Sequence, residues 1–409
     1  MSEGVNIPNG WVETTLGKSI NLIGGGTPNT KIEEYWNGEI PWLSVVDFNN
    51  DNRWVSSAEK SITELGLKNS STKLLDVGDI IISARGTVGA LAQLKKSMAF
   101  NQSCYGIKEK LDVTDKNYLF YLLKYSIIQI NRNTYGAVFD TITTKTFDFI
   151  NVIIPKNIEE QKSIAAILTA FDDKIELLQA QNKTLEELAQ TIFKEWFGKY
   201  SVEDELPEGW RIGKLSEIAN LKSGFAFKAE DFIEESNFKA IKIKDLKGNG
   251  NISLSDISAI TEDITKLGRV QYFKLDEGDI LLAMSGNTTG KIGVLPSSEN
   301  EIYLNQRVGK FFLKNNIYKS YLYNFLMSND YENKILAMGY GSAQPNINPT
   351  QIENIDICYP DERKLNAYLG ISNPIFEKVL KNNTQIHTLT QTRDALLPKL
   401  MSGEIRVKM

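Results

Sequence analysis

The chain has 409 residues, of which 42% are hydrophobic and 24% are charged, and its formal net charge is −5. This length predicts two or three domains of about 100 to 200 residues each. The N-terminus lacks the basic and apolar regions of a signal peptide, and no apolar run approaches the roughly 18 residues of a membrane span. Two cysteines, Cys104 and Cys358, and one histidine, His387, fit neither a disulfide framework nor a zinc site. We therefore expect a cytoplasmic globular protein with buried cysteines.

Short β-rich runs separated by Gly and Asn turns dominate residues 1–155. The runs DIIIS at 79–83 and NVIIP at 151–155 are typical of strands. Between them, NYLFYLLKYSI at 117–127 predicts a helix. The mixture indicates an α+β domain.

Residues 156–206 predict a helical region with one continuous seam. The seam positions alternate in steps of four and three, which is the spacing of helix–helix contacts. They are Phe171, Ile175, Leu178, Asn182, Leu185, Ala189, Ile192 and Trp196.

Residues 207–360 return to short β-rich runs, including DILLA at 279–283 and DICYP at 356–360, with a helical stretch at 318–328. Lys242 and Lys244 alternate with isoleucines, so a strand there would place both lysines on one face. The equivalent outward positions of the first module are Ser44 and Val46. Either the lysines form a solvated strand face, or this surface differs between the modules because each meets a different target.

The last segment, residues 361–409, repeats the helical seam at an offset of 204 residues. Its net charge is +3, whereas residues 156–206 carry −5, so opposite charge favours pairing of the two helices. The alternative is that each helix packs on its own module. Asn182 and Asn382 lie within the seams, where a polar residue can fix the register of pairing.

A long-period repeat relates residues 1–155 to residues 207–360. IPNGW at 7–11 recurs as LPEGW at 206–210, and GDIIISARG at 78–86 recurs as GDILLAMSG at 278–286. Asn101-Gln102 matches Asn305-Gln306, always in the same order along the chain. The chain therefore contains two diverged copies of one module, with small insertions in the loops.

Recognisable catalytic motifs are absent from the sequence. GGGTPNTK at 24–31 and SGNTTGKIG at 285–293 both depart from the phosphate-binding P-loop, and no dinucleotide fingerprint opens a helix after a strand. His387 has no neighbouring nucleophile and is expected on a helix surface. PDERK at 360–364 is expected at a junction between a strand and a helix. These observations favour a binding protein over an enzyme.

Several motifs together resemble the specificity subunit of a type I restriction-modification enzyme. They are GGGTPNTKIEEYWNGEIPWLSVVDF at 24–48, the paired GD runs, the paired Asn-Gln, the late Tyr-Gly followed by NVIIP or DICYP, and EEQKSIAAIL at 159–168. The resemblance covers essentially the whole chain.

This resemblance implies two target recognition domains, at 1–155 and 207–360, each reading one half of an asymmetric bipartite DNA site. The helical regions, 156–206 and 361–409, would pair as an antiparallel coiled-coil stalk that sets the spacer between the half-sites. The proposed stalk residues are Phe171, Ile175, Leu178, Leu185, Ile192, Trp196, Val379, Ile386, Leu389, Leu396 and Leu400.

In that family the subunit is not catalytic and acts in phage defence. The resemblance implies binding to double-stranded DNA, two DNA adenine methyltransferase subunits and, in the full complex, restriction/translocase subunits. Adenosylmethionine and ATP are expected only on these partners, so this chain would hold no cofactor and no metal.

Polar side chains in the recurring turns are the candidate DNA-binding residues. An arginine can pair bidentately with guanine, and Asn or Gln with adenine, in the major groove. In the first module they are Thr27, Asn29, Lys31, Ser44, Arg85, Asn101, Gln102, Tyr135 and Lys145. In the second module they are Lys228, Lys242, Lys244, Ser285, Asn287, Asn305, Gln306, Arg307, Tyr340, Ser342 and Gln344. Features shared by both copies favour a structural role, whereas features that differ, such as Arg85 and Ser285, favour base reading.

The net charge of each module bears on whether the chain binds DNA alone or with partners. The first module has 15 basic and 16 acidic residues and the second has 17 and 19, so neither has the positive surplus of a stand-alone DNA binder. We expect partner subunits to supply much of the phosphate affinity. The competing hypothesis is a stand-alone sequence-specific DNA-binding regulator, which should bind its site without partners.

Overall fold

The computed structural model of the chain describes residues 7–50, 52–133, 141–339 and 346–407. Within them the chain divides into two compact units, Met1–Glu176 with Leu389–Met409, and Leu177–Thr388. Each unit contains one module and parts of both long helices.

The first module alternates short strands with short helices, as an α+β domain does. Its strands are β1 (Trp11–Thr15), β2 (Ile20–Gly24), β3 (Trp36–Leu43), β4 (Trp54–Val55), β5 (Lys60–Ile62), β6 (Leu74–Leu75), β7 (Ile80–Ser83), β8 (Leu91–Leu94), β9 (Met98–Phe100), β10 (Cys104–Glu109) and β11 (Asn151–Pro155). Its helices are α1 (Leu16–Ser19), α2 (Glu64–Lys68), α3 (Lys116–Asn133) and α4 (Thr144–Phe149), and α5 (Ile158–Phe197) follows.

The second module repeats this pattern. Its strands are β12 (Arg211–Lys214), β13 (Ala219–Ser223), β14 (Phe232–Ile233), β15 (Phe238–Ile241), β16 (Leu246–Gly248), β17 (Asn251–Ile252), β18 (Ser258–Ile260), β19 (Ile280–Ala283), β20 (Ile292–Val294), β21 (Glu301–Leu304), β22 (Val308–Leu313) and β23 (Asp356–Tyr359). Its helices are α6 (Glu262–Thr265), α7 (Gly268–Gln271), α8 (Lys319–Leu326), α9 (Asn329–Gly339) and α10 (Pro349–Glu353), and α11 (Glu362–Met401) follows.

The sheet topology confirms that the two modules are copies of one fold. The first has a sheet of order β2-β10-β7-β8-β4, and the second has one of order β13-β22-β19-β20. A second sheet contains β5-β3-β9 in the first module and β18-β15-β21 in the other. The pairs β3–β9 and β15–β21 are both parallel. Each module also pairs its first and last strands, β1 with β11 and β12 with β23.

The repeated GD runs form the central strands β7 and β19. All four residues of each strand are buried, which explains why residues 80–82 and 280–283 are apolar at every position rather than alternating. The glycine before each run, Gly78 or Gly278, has a φ near +80°, a conformation that favours glycine. The predicted strands at 79–83, 151–155, 279–283 and 356–360 and the predicted helices at 117–127 and 318–328 are confirmed.

The two helical regions form single helices, α5 and α11, of 40 residues each. In the second unit a buried amide pair joins them: Asn382 Nδ2 donates to Asn182 Oδ1 at 2.7 Å. Asn182 Nδ2 in turn donates to Asn383 Oδ1 at 2.6 Å. In the first unit Arg393 pairs with Asp172 at 2.6 Å. Asp172 contacts Arg393, and Asn182, ten residues later on α5, contacts Asn382, which comes earlier on α11. The two helices are therefore antiparallel.

The helices also complete the cores of the modules. In the second unit Phe193 and Phe197 of α5 contact Tyr368 of α11, and the rings of Phe197 and Tyr368 are 4.8 Å apart. In the first unit Ile164 and Leu168 of α5 share a core with Leu397 and Leu400 of α11, among other residues. The helices thus pair with each other, and each contributes to the cores of both modules rather than packing only on its own.

The seam positions face away from solvent. Ile175, Leu178, Val379 and Leu400 are buried, and the other proposed stalk residues are half-buried. Two further positions of the repeated seam, Asn182 and Asn382, are also buried.

Two small expectations need correction. Cys104 is buried, and this burial raises the pKa of its thiol to about 12. Cys358 is only half-buried, because it alternates along β23 with the buried residues Ile357 and Tyr359 and so lies on the opposite face of the strand. His387 is half-buried rather than fully on a helix surface, and burial lowers its pKa. PDERK lies at the junction of β23 and α11, as expected. None of the helices described is long and apolar enough to cross a membrane.

The asparagine pair predicts how substitutions should affect stability. Asn182→Leu leaves the Asn382 amide buried without its main partner, so we expect the free energy of unfolding to fall by about 1–3 kcal/mol. The double variant Asn182→Leu/Asn382→Leu should recover most of this loss, because no fully buried amide is left unpaired. Asn383 is half-buried and Gln181 is exposed, so both can bond to water. Denaturant unfolding of the purified chain measures both effects. Thr184→Leu, at an exposed position of the same helix, is the control; equal losses in the single and double variants would contradict the pairing.

Candidate nucleic-acid interface

Several strands of the first module end on the same side of its two sheets. The backbone nitrogen of Asn101 donates to the carbonyl of Leu43 at 3.0 Å, which joins the end of β9 to the end of β3. The nitrogen of Ala84 donates to the carbonyl of Ser103 at 2.8 Å, which attaches the end of β7. We call the loops at these strand ends the first tip, defined as residues 24–31, 44–47, 84–87 and 101–103.

A close approach between two backbones explains a glycine in each copy. A Cβ atom on Gly25 would lie 2.1 Å from the carbonyl oxygen of Asn101, so only glycine fits. In the second module a Cβ atom on Gly224 would lie 2.2 Å from the carbonyl oxygen of Leu304. The repeated glycine therefore lets the loop after β2, or after β13 in the second module, lie against the neighbouring sheet.

Some predicted residues of the first tip hold its loops in place. The Asn101 side-chain oxygen accepts a hydrogen bond from the backbone nitrogen of Ser103 at 3.0 Å. Thr27 donates to the side-chain oxygen of Gln102, which ties two loops together. Ser44 donates from its hydroxyl to Asp47 at 2.9 Å. These side chains have structural partners within the tip.

Arg85 is placed differently. Its backbone bridges to Thr141, while its side chain is exposed and has no hydrogen-bond or ion-pair partner among the described residues. A guanidinium in this state is available to a ligand.

The remaining predicted residues of the first module lie near this tip or outside the described residues. Asn29 accepts a hydrogen bond from the backbone of Lys31 at 3.0 Å, and the Lys31 side chain is exposed. Lys145 is exposed on α4, which begins three residues after Thr141. Tyr135 lies outside the described residues.

The second module brings its predicted residues together in the same way. The backbone nitrogen of Asn305 donates to the carbonyl of Ile241 at 3.2 Å, as Asn101 does to Leu43. The nitrogen of Met284 donates to the carbonyl of Arg307 at 3.0 Å. We call this surface the second tip, defined as residues 224–228, 242–245, 285–288 and 305–307.

Ser285 occupies the position of Arg85. It bridges to Asn346 through its backbone, as Arg85 bridges to Thr141. The side chains of Asn287, Gln306 and Arg307 are exposed nearby. Tyr340, Ser342 and Gln344 lie outside the described residues.

The predicted lysine strand is wrong. β15 ends at Ile241, and residues Ile243–Asp245 form a 3-10 turn instead. The cause is Asp245, whose carboxylate accepts a hydrogen bond from the backbone nitrogen of Lys242 at 2.8 Å and so closes the turn. Burial of the Asp245 carboxyl raises its pKa.

The lysines of the second tip consequently have different surroundings. The Lys242 ammonium lies 3.5 Å from the centroid of the Phe232 ring, and burial lowers its pKa. Lys244 is exposed, and its ammonium donates to the carbonyl of Asp256 at 3.1 Å. Lys228 is also exposed and lies 3.3 Å from Glu230.

One residue at the tips, Arg269, was missed from the sequence. Arg269, on α7, places its guanidinium 5.4 Å from the ring centroid of Phe225 in the second tip. Val46, in the first tip, is 72% exposed. Arg269 could not be found among the repeated turns, since α7 has no repeated motif, whereas Val46 was named from the sequence only as the counterpart of Lys244.

The tips offer surfaces for recognition rather than for catalysis. Exposed cations and amides stand on loops held by backbone hydrogen bonds, an arrangement suited to contacts with base edges and phosphates. Over the described ranges, no group of three or more His, Cys, Asp or Glu side chains is arranged to hold a metal ion.

Comparison with known proteins agrees with this geometry. The family model for the type I restriction modification DNA specificity domain matches residues 8–187 and 207–367, one match per module. The MjaIX specificity subunit of a type I restriction enzyme from Methanocaldococcus jannaschii is 30% identical, over 98% of this chain and 95% of that protein. The MjaVIII specificity subunit from the same organism is 28% identical, over 99% and 95%.

A solved structure supports the fold. The S subunit of a type I restriction-modification system from M. genitalium has a TM-score of 0.57 at 18% identity and covers 100% of this chain and 99% of that one. With two matched domains spanning most of its length, the chain belongs to the family of type I restriction-modification DNA specificity subunits.

Proposed function

We propose that the chain gives a type I restriction-modification complex its DNA sequence specificity by reading an asymmetric, bipartite site with its two tips. The observation that carries this proposal is that the two tips have the same backbone arrangement but present different side chains. Arg85 of the first tip corresponds to Ser285 of the second, and Val46 corresponds to Lys244. Two identical tips would read two identical half-sites, whereas these would read unlike ones.

The exposed groups suit major-groove recognition. The Arg85 guanidinium is free to form two hydrogen bonds with a guanine, and the amide of Gln306 can pair with an adenine. Residues whose side chains hold the loops, such as Asn101 and Thr27, would position the readers instead. The first tip would thus read guanine through Arg85, a contact that Ser285 cannot reproduce in the second.

The domain organisation follows from this role. We propose target recognition domains at residues 1–155 and 207–360, and helical regions at 156–206 and 361–409 that set the spacer. The antiparallel pairing of α5 and α11 supports the stalk, because hydrogen-bonded buried amides fix one register.

Partners would complete the complex. We propose that two DNA adenine methyltransferase subunits dock on the chain and clamp the duplex, since neither module has the positive surplus for strong phosphate binding. Restriction/translocase subunits would join the full complex. Adenosylmethionine and ATP would bind these partners, and the complex would act on DNA in the cytoplasm, as a defence against phage.

Genome-wide mapping of adenine methylation tests the proposal. Cells that carry the chain with its neighbouring methyltransferase should gain methylation at one bipartite motif, with two unlike halves around a fixed gap. Cells with the methyltransferase alone are the control. An active methyltransferase that gains no bipartite motif with the chain would contradict the proposal, and binding of the chain alone to a site would favour the regulator.

Arg85 provides a test of one tip. Arg85→Ala should weaken discrimination at a single guanine of one half-site by about 1–3 kcal/mol, because a bidentate contact is lost. Arg85→Lys should restore little, since a lysine lacks the planar fork of donors. Methylation rates on duplexes with single substitutions measure the effect.

The matched control is Lys110→Ala, an exposed cation of the same module that follows β10 at the opposite end from the tip. If Arg85→Ala and Lys110→Ala lowered methylation equally at every sequence, Arg85 would be a nonspecific charge and not a base reader.

A further inference from the structure

A short 3-10 turn follows the same strand in both modules and presents a different side chain in each. The turns are Val45–Asp47 after β3 and Ile243–Asp245 after β15. Their middle residues, Val46 and Lys244, are both exposed. The inference drawn from them rests on the proposed function and names residues that would determine specificity within it.

The turn of the first module is held from both sides. The Asp47 carboxylate accepts hydrogen bonds from the backbone nitrogens of Ser44 and Glu59, both at 2.7 Å. Val45 packs against the core beneath the turn. Because its neighbours on both sides are fixed, Val46 projects from a rigid support.

The turn of the second module has the same supports. The Asp245 carboxylate accepts from the backbone nitrogen of Lys242, and the Asp245 carbonyl accepts from the nitrogen of Ser253 at 2.9 Å. Ile243 packs against the core, as Val45 does. The aspartate and a half-buried aliphatic residue, Val45 or Ile243, are thus common to the two copies, while the exposed residue between them changes from Val46 to Lys244.

The location of the turns connects them with recognition. β3 ends beside Asn101, and β15 ends beside Asn305, so each turn belongs to the tip of its module. An exposed valine is by itself ordinary on a protein surface. Here, however, its side chain is 72% exposed on a rigid turn within the tip, and a cation replaces it in the other copy.

We propose that the middle residue of this turn determines specificity, and that Val46 packs on the C5-methyl group of a thymine in the major groove. The thymine methyl is the one apolar group that base pairs present there, and small apolar side chains contact it. Lys244, at the equivalent place, donates to the O6 or N7 acceptor of a guanine in the other half-site.

Replacement of a thymine by deoxyuracil tests this contact. Deoxyuracil keeps the pairing edge of thymine and lacks only the methyl, so each thymine of the mapped motif is replaced in turn in synthetic duplexes. With the wild-type chain and its methyltransferase, one replacement should lower kcat/KM for methylation about fourfold, the value for burying one methyl-sized group. Val46→Ala removes both γ-methyl groups that would reach the thymine methyl from this turn, so with this variant the discrimination should disappear.

Val77→Ala is the matched control. Val77 is 58% exposed in the same module but precedes β7, at the end opposite the tip, so this variant should keep the discrimination. Wild-type rates that no deoxyuracil changes, or a discrimination that survives Val46→Ala, would overturn the inference while bipartite methylation left the proposed function intact. Loss of the bipartite motif in the wild type itself would instead contradict the proposed function.

Discussion

The hydrogen bond between the side chains of Asn182 and Asn382 is the constraint that fixes how the two long helices pair. Both amides are buried, so a shift of one helix by a turn would leave two polar groups in an apolar seam without partners. The same helices supply Phe193, Phe197 and Tyr368 to the core of the second module. The register of the pair therefore also decides which aromatic residues reach that core.

In the two copies of the module, the residues that hold the loops are the same, whereas exposed side chains on the loops differ. Gly25 and Gly224 allow the same close approach of backbones, and Asp47 and Asp245 close the same turn. These shared residues keep the loops at the strand ends in one geometry. Side chains that differ at equivalent places can then change the sequence that is read without changing the fold. This division explains how a chain with two similar halves can recognise an asymmetric site.

Much of the fold could be predicted because its signals are local or repeated. The buried strands β7 and β19 each begin with three consecutive apolar residues, and the seam of α5 returns in α11 with an asparagine in each. Equivalence of Arg85 and Ser285 also followed from alignment of the copies, and their backbones form equivalent bridges. The prediction of a strand that carries Lys242 and Lys244 was wrong, because the side chain of Asp245 stabilises a turn there.

The tips themselves could not be predicted in full, since they are assembled from distant parts of the chain. Asn101 and Thr27, which the sequence places among the DNA contacts, also tie loops together through hydrogen bonds, and their contact with DNA stays a prediction. The sequence did not point to Arg269, whose position beside Phe225 of the second tip depends on how separate elements pack.

Amide hydrogen exchange on the assembled methyltransferase complex, with and without its cognate duplex, tests most directly whether both tips contact DNA. The duplex should slow exchange in residues 84–87 and 101–103 of the first module and in residues 285–288 and 305–307 of the second. Exchange around Val77, at the opposite end of β7, should not change. Slower exchange at one tip alone, or at the opposite ends of the modules, would contradict the account of two reading surfaces in one chain.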